Sequence, residues 1–226
     1  MSYTKYWLLF VGCMALLTSQ NSWAGTQLWT FEKAAQVDEW EVANGKWSVK
    51  DGVYQETSGV EAAMHSLVGD TNWDDYVIEA KVRIDVNNWA GIVFRAQSEL
   101  EYYVYYLNVP DNKSELWKHM EPNFDSRVAI TSNIPAAGVK IANGEWMDVR
   151  IVVEGDTFQF FINDEFQSEQ KGADYPTGRI GVWTWQSQGS FDDVTVTGDN
   201  VPDNAIFAVD AKGKLTTTWG RLKQTR

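Results

Sequence analysis

The stretch Tyr76 to Val86, YVIEAKVRIDV, alternates apolar with polar residues. Successive strand side chains point to opposite faces. Ile78, Ala80, Val82 and Ile84 are therefore expected to face a core, and Glu79, Lys81 and Arg83 the solvent. The pattern recurs at short spacing. Lys46 to Glu56 alternates about an Asp51-Gly52 dipeptide, a strong hairpin signal. Trp89 to Gln97 and Tyr102 to Val109 read as a second hairpin, and Ser114 to His119 as a further strand. Trp146 to Glu154 and Thr157 to Asn163 form another hairpin across Gly155-Asp156, and Arg179 to Trp185 and Phe191 to Thr197 close the set. Helical periodicity is confined to a single turn between Glu32 and Trp40. Many short strands separated by Gly, Asn and Asp predict an all-β fold, an antiparallel sandwich or barrel.

The two ends read differently. Lys5, the apolar run Tyr6 to Leu17 and the small-x-small sequence Ser22-Trp23-Ala24 predict an export signal cut before Gly25. That run is too short for a permanent membrane anchor. A second cut before Cys13 faintly matches a lipoprotein box, but the apolar stretch continues past it. The expected division is a signal over 1–24, one β domain over 25–197, and a hinge with a basic tail over 198–226. Residues 198–226 are open to three readings: a docking strand, a segment that binds a protein partner, or a frayed end. Cutting after Ala24 removes the one cysteine, so a secreted or periplasmic chain would rely on burial rather than disulfides. Removal of Lys5 leaves 18 basic against 31 acidic residues, a net charge near −13. That field argues against nucleic acid as a partner, and the remaining runs are too short for membrane insertion.

The chemistry concentrates between Trp89 and Val109, where one arginine sits among aromatics. By parity Arg95 shares a face with Gly91, Val93 and Gln97, while Ala90, Ile92, Phe94 and Ala96 face inward. An outward arginine beside tyrosines and tryptophans suits a sugar-binding surface. The guanidinium forks onto hydroxyls or carboxylates, and the rings stack on apolar pyranose faces. The plainer alternative pairs Arg95 with an acidic neighbour and gives the tyrosines to the core. Ile180 and Val182 read as core positions, which sets Gly181, Trp183 and Trp185 on the opposite face. Two tryptophans at i and i+2 make a platform for an extended glycan, or else a cap over a second apolar layer. The alternation within 102–106 does not decide which tyrosines face out.

The succession GKWSVKDGVY, DYVIEAKVRI, AGIVFRAQ with YYVYYLNV, GEWMDVRIVVEGDTFQFFIN, GRIGVWT and SFDDVTV resembles the concanavalin A-like lectin/glucanase jelly rolls. It is most similar to the laminin-G-like branch and to the domain associated with 3-keto-disaccharide hydrolysis. The resemblance covers about 28–197 and implies a two-sheet antiparallel jelly-roll β-sandwich. It also implies a concave face with Arg95 in the Gly91-x-x-x-Arg95 strand and Tyr102, Tyr106, Trp117, Trp183 and Trp185 around it. In several such sugar-binding families a structural calcium ties the first strand to the last. Phe31-Glu32 and Asp192-Asp193-Val194 match that pattern, which implies Glu32 and Asp193 as ligands with carbonyls near Asp51.

Catalysis finds little support. Acid–base hydrolysis needs two carboxylates across the scissile bond, and the Glu-x-Asp-x-Glu strand of the superfamily's glucanases is missing. His65 and His119 are far apart in sequence, without cysteines for zinc or a nearby nucleophile motif. Three readings follow. The leading one is a secreted, non-catalytic glycan-binding domain with a glycan or polysaccharide as partner. The others are a glycoside hydrolase or lyase of the 3-keto-disaccharide type, and a protein-adhesion module acting through the tail.

Overall fold

A computed structural model describes residues 24–204. The expected export signal, its alternative at Cys13, and the tail beyond Asn204 lie outside the described residues. Thirteen strands run through the described chain. They are β1 (Gly25–Trp29), β2 (Glu41–Asn44), β3 (Trp47–Lys50), β4 (Val53–Glu56), β5 (Ala63–Val68), β6 (Tyr76–Ala96) and β7 (Tyr102–Asn108). Then come β8 (Lys113–His119), β9 (Val128–Pro135), β10 (Trp146–Glu154), β11 (Thr157–Ile162), β12 (Glu165–Lys171) and β13 (Arg179–Gly198). Short 3₁₀ turns at Ala34–Glu39 and Phe124–Ser126 are the helical elements.

Every pairing is antiparallel, and β6 and β13 organise the whole. Their halves Tyr76–Val86 and Ser187–Gly198 pair in one sheet, extended by β10, β11 and β12 on one side and by β1, β4 and β3 on the other. Their other halves, Trp89–Ala96 and Arg179–Trp185, pair in the second sheet between β5–β2 and β7–β8–β9. The sequence pattern breaks each of these strands in two; the structure carries each through as one. Asn87 and Gln186 take positive φ, 70° and 48°, and turn the paired strands from one sheet into the other. Buried Ser187 holds the bend, its Oγ accepting the backbone N–H groups of Asn88 at 2.7 Å and Trp89 at 2.6 Å.

The core lies between the sheets. Ile78, Ala80, Val82 and Ile84 face it, as alternation predicts, and so do Ile180 and Val182. Aromatics interdigitate across the gap: Phe94 meets Phe158 edge-on at 4.9 Å and Tyr105 stacks on Phe160 at 4.2 Å. The Asp51-Gly52 hairpin forms with both residues at positive φ, 53° and 75°, as a two-residue primed turn requires. At the far end the expected hinge begins as part of the domain. Asp203 and Asn204 accept the backbone N–H groups of Thr26 and Leu28, and Val201 is buried.

Candidate functional site

The outer face of the second sheet carries a second apolar layer. Leu67, Val93, Ala96, Tyr102, Val104 and Trp183 are buried there, with Trp89, Tyr106, Trp117 and Trp185 packed partly exposed around them. Registry explains the grouping. Trp183, Gly91, Tyr106 and Glu115 lie side by side on four neighbouring strands. Gly91 has no side chain to separate its neighbours, so Trp183 and Tyr106 lean over it and stack at 5.1 Å, 14° from parallel. A Cβ at Gly91 would come within 2.2 Å of the Tyr105 carbonyl oxygen and 2.5 Å of Tyr106 Cα. The next row brings Trp185 against Trp89.

Glu115 sets the ring orientations. One oxygen accepts the Tyr106 hydroxyl and the Trp117 indole N–H, both at 2.9 Å; the other accepts Asn108 at 2.9 Å and faces Lys113 at 3.3 Å. Beneath the rings, Tyr102 stacks on His119 at 4.4 Å and tilts against His65 at 5.0 Å. Burial pushes His65 down to about 4 and His119 to about 3, the latter helped by the charges of His65 and Arg127, so both are neutral at pH 7. Burial raises the Tyr106 phenol, and the Glu115 charge adds to the effect.

The β8–β9 connection completes one wall. Asn123 caps the short turn by accepting Asp125 N–H at 3.0 Å, and Phe124 lies flat on Trp185 at 4.4 Å. The Arg127 guanidinium sits 3.8 Å above the Phe124 ring, 5.6 Å from Trp117 and 5.9 Å from Trp185. The result is a cleft of about 180 Å³ lined by Trp89, Tyr106, Trp117, His119, Phe124, Arg127, Trp183 and Trp185.

Of the residues singled out in the sequence, Tyr106, Trp117, Trp183 and Trp185 meet at this cleft. Trp183 is only 3% exposed and forms the floor; Tyr102 lies below it, buried. Arg95 is a correction. It is 1% exposed, and its guanidinium donates to the carbonyls of Tyr175 at 3.2 Å, Gly155 at 3.2 Å and Pro176, with Asp75 at 3.4 Å. The cause is a β-bulge. Between Val93 and Ala96 β6 has one residue more than β13 opposite, and Arg95 takes φ 53°. Parity flips there, so Ala96 joins the outer layer instead of the core. The cation at the cleft is Arg127, in a connection that showed no periodicity to read. Trp89, His119 and Phe124 were also missed, although strand parity placed Trp89 with Gly91.

Of the expected calcium ligands, Glu32 lies against the Asp51-Gly52 turn, where a Cβ on Gly52 would come within 2.8 Å of its Oε1. Asp193, at φ 47°, turns its carboxylate toward Lys81 at 3.8 Å. Glu32 also neighbours Asp192, whose carboxyl is raised by burial and by the charges of Asp193 and Glu32. Among the described residues no three His, Cys, Asp or Glu side chains converge as a metal cage.

A family model described as a 3-keto-alpha-glucoside-1,2-lyase-like domain matches residues 27–197. The structure resembles the carbohydrate binding module CBM66 from Bacillus subtilis, with TM-score 0.61 and 17% identity over 70% of this chain and 94% of that one. It resembles a Bacillus subtilis protein of unknown function with a galectin-like fold at TM-score 0.56 and 13% identity, over 77% and 96% of the two chains. The Crh5 transglycosylase in complex with NAG follows at TM-score 0.55 and 13% identity, over 79% and 86%. At these identities the likeness is one of fold, a concanavalin A-like, galectin-like all-β sandwich. No curated protein matches in sequence.

Proposed function

Because the chain belongs to the 3-keto-alpha-glucoside-1,2-lyase-like domain family over residues 27–197, we propose that it is a sugar-handling domain whose aromatic cleft binds a glycan without cleaving it. One observation carries this: Trp89, Tyr106, Trp117 and Trp185 stand half-buried around a single cleft, their planes fixed by registry and by Glu115. Half-exposed indole and phenol rings of fixed orientation suit the apolar faces of pyranoses. The fold likeness to a carbohydrate binding module supports the same reading. Glu115 is the carboxylate among the rings, and four donors occupy it, so the cleft lacks the carboxylate pair that hydrolysis uses.

A glycan array probed with the full chain and with Trp185→Ala tests the proposal. Trp185 is partly exposed, so its truncation should spare the fold while lowering sugar affinity about tenfold or more. Equal array signals from the two proteins, or none from either, would remove it.

A lyase reading is favoured by the family's own description and by His119, a neutral imidazole that lines the cleft and could accept a hydrogen bond from a substrate hydroxyl. Its test is turnover of a 3-keto-glucoside, expected to vanish in His119→Gln. Export and a calcium staple are separate proposals. Export predicts a mature protein beginning at Gly25, read by N-terminal sequencing of the extracytoplasmic fraction. The calcium would draw on Glu32 and Asp193, whose charges both bear on Asp192, and would relieve that repulsion. A melting temperature that does not move on adding chelator would dismiss it.

A further inference from the structure

We propose that the ligand of this cleft is an anionic oligosaccharide bearing uronate carboxylates, selected by Arg127. The inference rests on the glycan reading above and narrows it to a substrate class.

The polar groups facing the cleft are mostly spoken for. Tyr106 and Trp117 give their protons to Glu115, and Glu115 has both oxygens filled. No carboxylate is left to accept from the hydroxyls of a neutral sugar. Besides the acceptor nitrogen of neutral His119, what remains is mainly donor capacity. The buried Trp89 indole N–H has no acceptor among the described residues, although buried indoles normally find one. Arg127 uses one nitrogen, Nη1, on the Phe124 carbonyl at 3.1 Å and on Asp125 at 3.4 Å. Among the described residues the rest of its fork has no hydrogen-bond partner.

The Asp125 contact is a weak competitor. Its side chain is 95% exposed, and exposed pairs of this kind contribute little. The Arg127 plane is held over Phe124, which pre-sets the fork beside Trp117 and Trp185. A planar guanidinium so placed meets a carboxylate through two parallel hydrogen bonds while the neighbouring rings take the sugar face. Its charge reaches the floor as well, where it partly offsets the burial that raises the Tyr102 and Tyr106 phenols and adds to the burial that disfavours protonation of His119. The whole chain carries −12, so an anion here would be held by this local fork and not drawn in by the overall field.

Titration calorimetry on the full chain decides it. The ligands are a glucose oligosaccharide and its C6-oxidised uronate form, matched in length and linkage. The uronate form should bind about tenfold more tightly. Arg127→Gln should erase that advantage, bringing the ratio of the two affinities to about one. Arg127→Lys, which keeps the charge but loses the fork, should fall between. Equal or better binding of the neutral sugar overturns this inference and leaves the glycan reading standing, as does a uronate preference that survives Arg127→Gln. Binding of neither sugar, with a blank array, overturns both.

Discussion

A single extra residue decides the fate of Arg95. Were β6 regular through 93–96, the guanidinium would stand among the tryptophans. The bulge turns it toward the carbonyls of Gly155, Tyr175 and Pro176, where it ties the β10–β11 and β12–β13 connections together. Arg95→Ala should therefore cost on the order of 3 kcal/mol in chemical denaturation, since those carbonyls lose their donor. The folded fraction should bind sugar as before; lost binding at unchanged stability would contradict this placement. The two histidines permit a second prediction. Each has a folded pKa below its unfolded value near 6.5, so the unfolded chain takes up protons first as pH falls. Their stabilisation is complete above pH 6.5 and is lost as pH drops toward 4 for His65 and 3 for His119. Carboxylates titrate mostly below pH 5, so stability should already fall between pH 6.5 and 5, and His65→Gln should flatten that slope. A variant as steep as the parent would show that His65 is not the group responsible. At this scale the sequence was readable wherever alternation held. Ile78 to Ile84 and Trp183 with Trp185 landed on the predicted faces, and the reading failed where a bulge breaks the period.

Strand order is what turns scattered aromatics into a cleft. Trp89, Tyr106, Trp117 and Trp183 are distant in sequence and come together because β13, β6, β7 and β8 are consecutive neighbours in the second sheet. Sequence could supply the rings but not that order. Nor could it supply β1, β2, β5, β9 and β12, five strands whose residues alternate weakly or lie in connections. The β8–β9 connection was equally silent, and it delivers Phe124 and Arg127. Two variants probe the element level. Gly91→Ala inserts a methyl against the β7 backbone, so the strands must separate; a loss of about 3 kcal/mol is expected. The Tyr106–Trp183 stack should loosen with it, visible as an altered near-ultraviolet circular dichroism band. A variant as stable as the parent with an unchanged band would mean that Gly91 does not set the stack. Phe124→Ala removes the ring lying on Trp185 and should raise acrylamide quenching of tryptophan fluorescence. Quenching equal to that of the parent would place Phe124 away from Trp185 in solution.

The cleft and the core are parts of one mechanical object. β6 and β13 each run through both sheets, so the strand that carries Trp183 on the outer face also carries Val196 in the core of the opposite sheet. Ser187 and the positive-φ pair Asn87 and Gln186 join the halves without a loop between them. The second sheet cannot melt and leave the first intact, because each would lose its central two strands. Unfolding should therefore be a single transition whose calorimetric and van't Hoff enthalpies agree. Sugar held at the cleft should raise the midpoint of that one transition for the entire domain, its stability growing by about 2.7 kcal/mol at free sugar a hundredfold above Kd. Hydrogen exchange offers the sharper measurement. Saturating ligand should slow exchange in β10 and β11, which touch no part of the cleft, as much as in β7 and β8 wherever exchange proceeds by global opening. Protection confined to β7, β8 and the Phe124 turn, or a calorimetric trace that resolves into two peaks, would mean that the sheets open separately and that the bend at Ser187 is a hinge, not a joint.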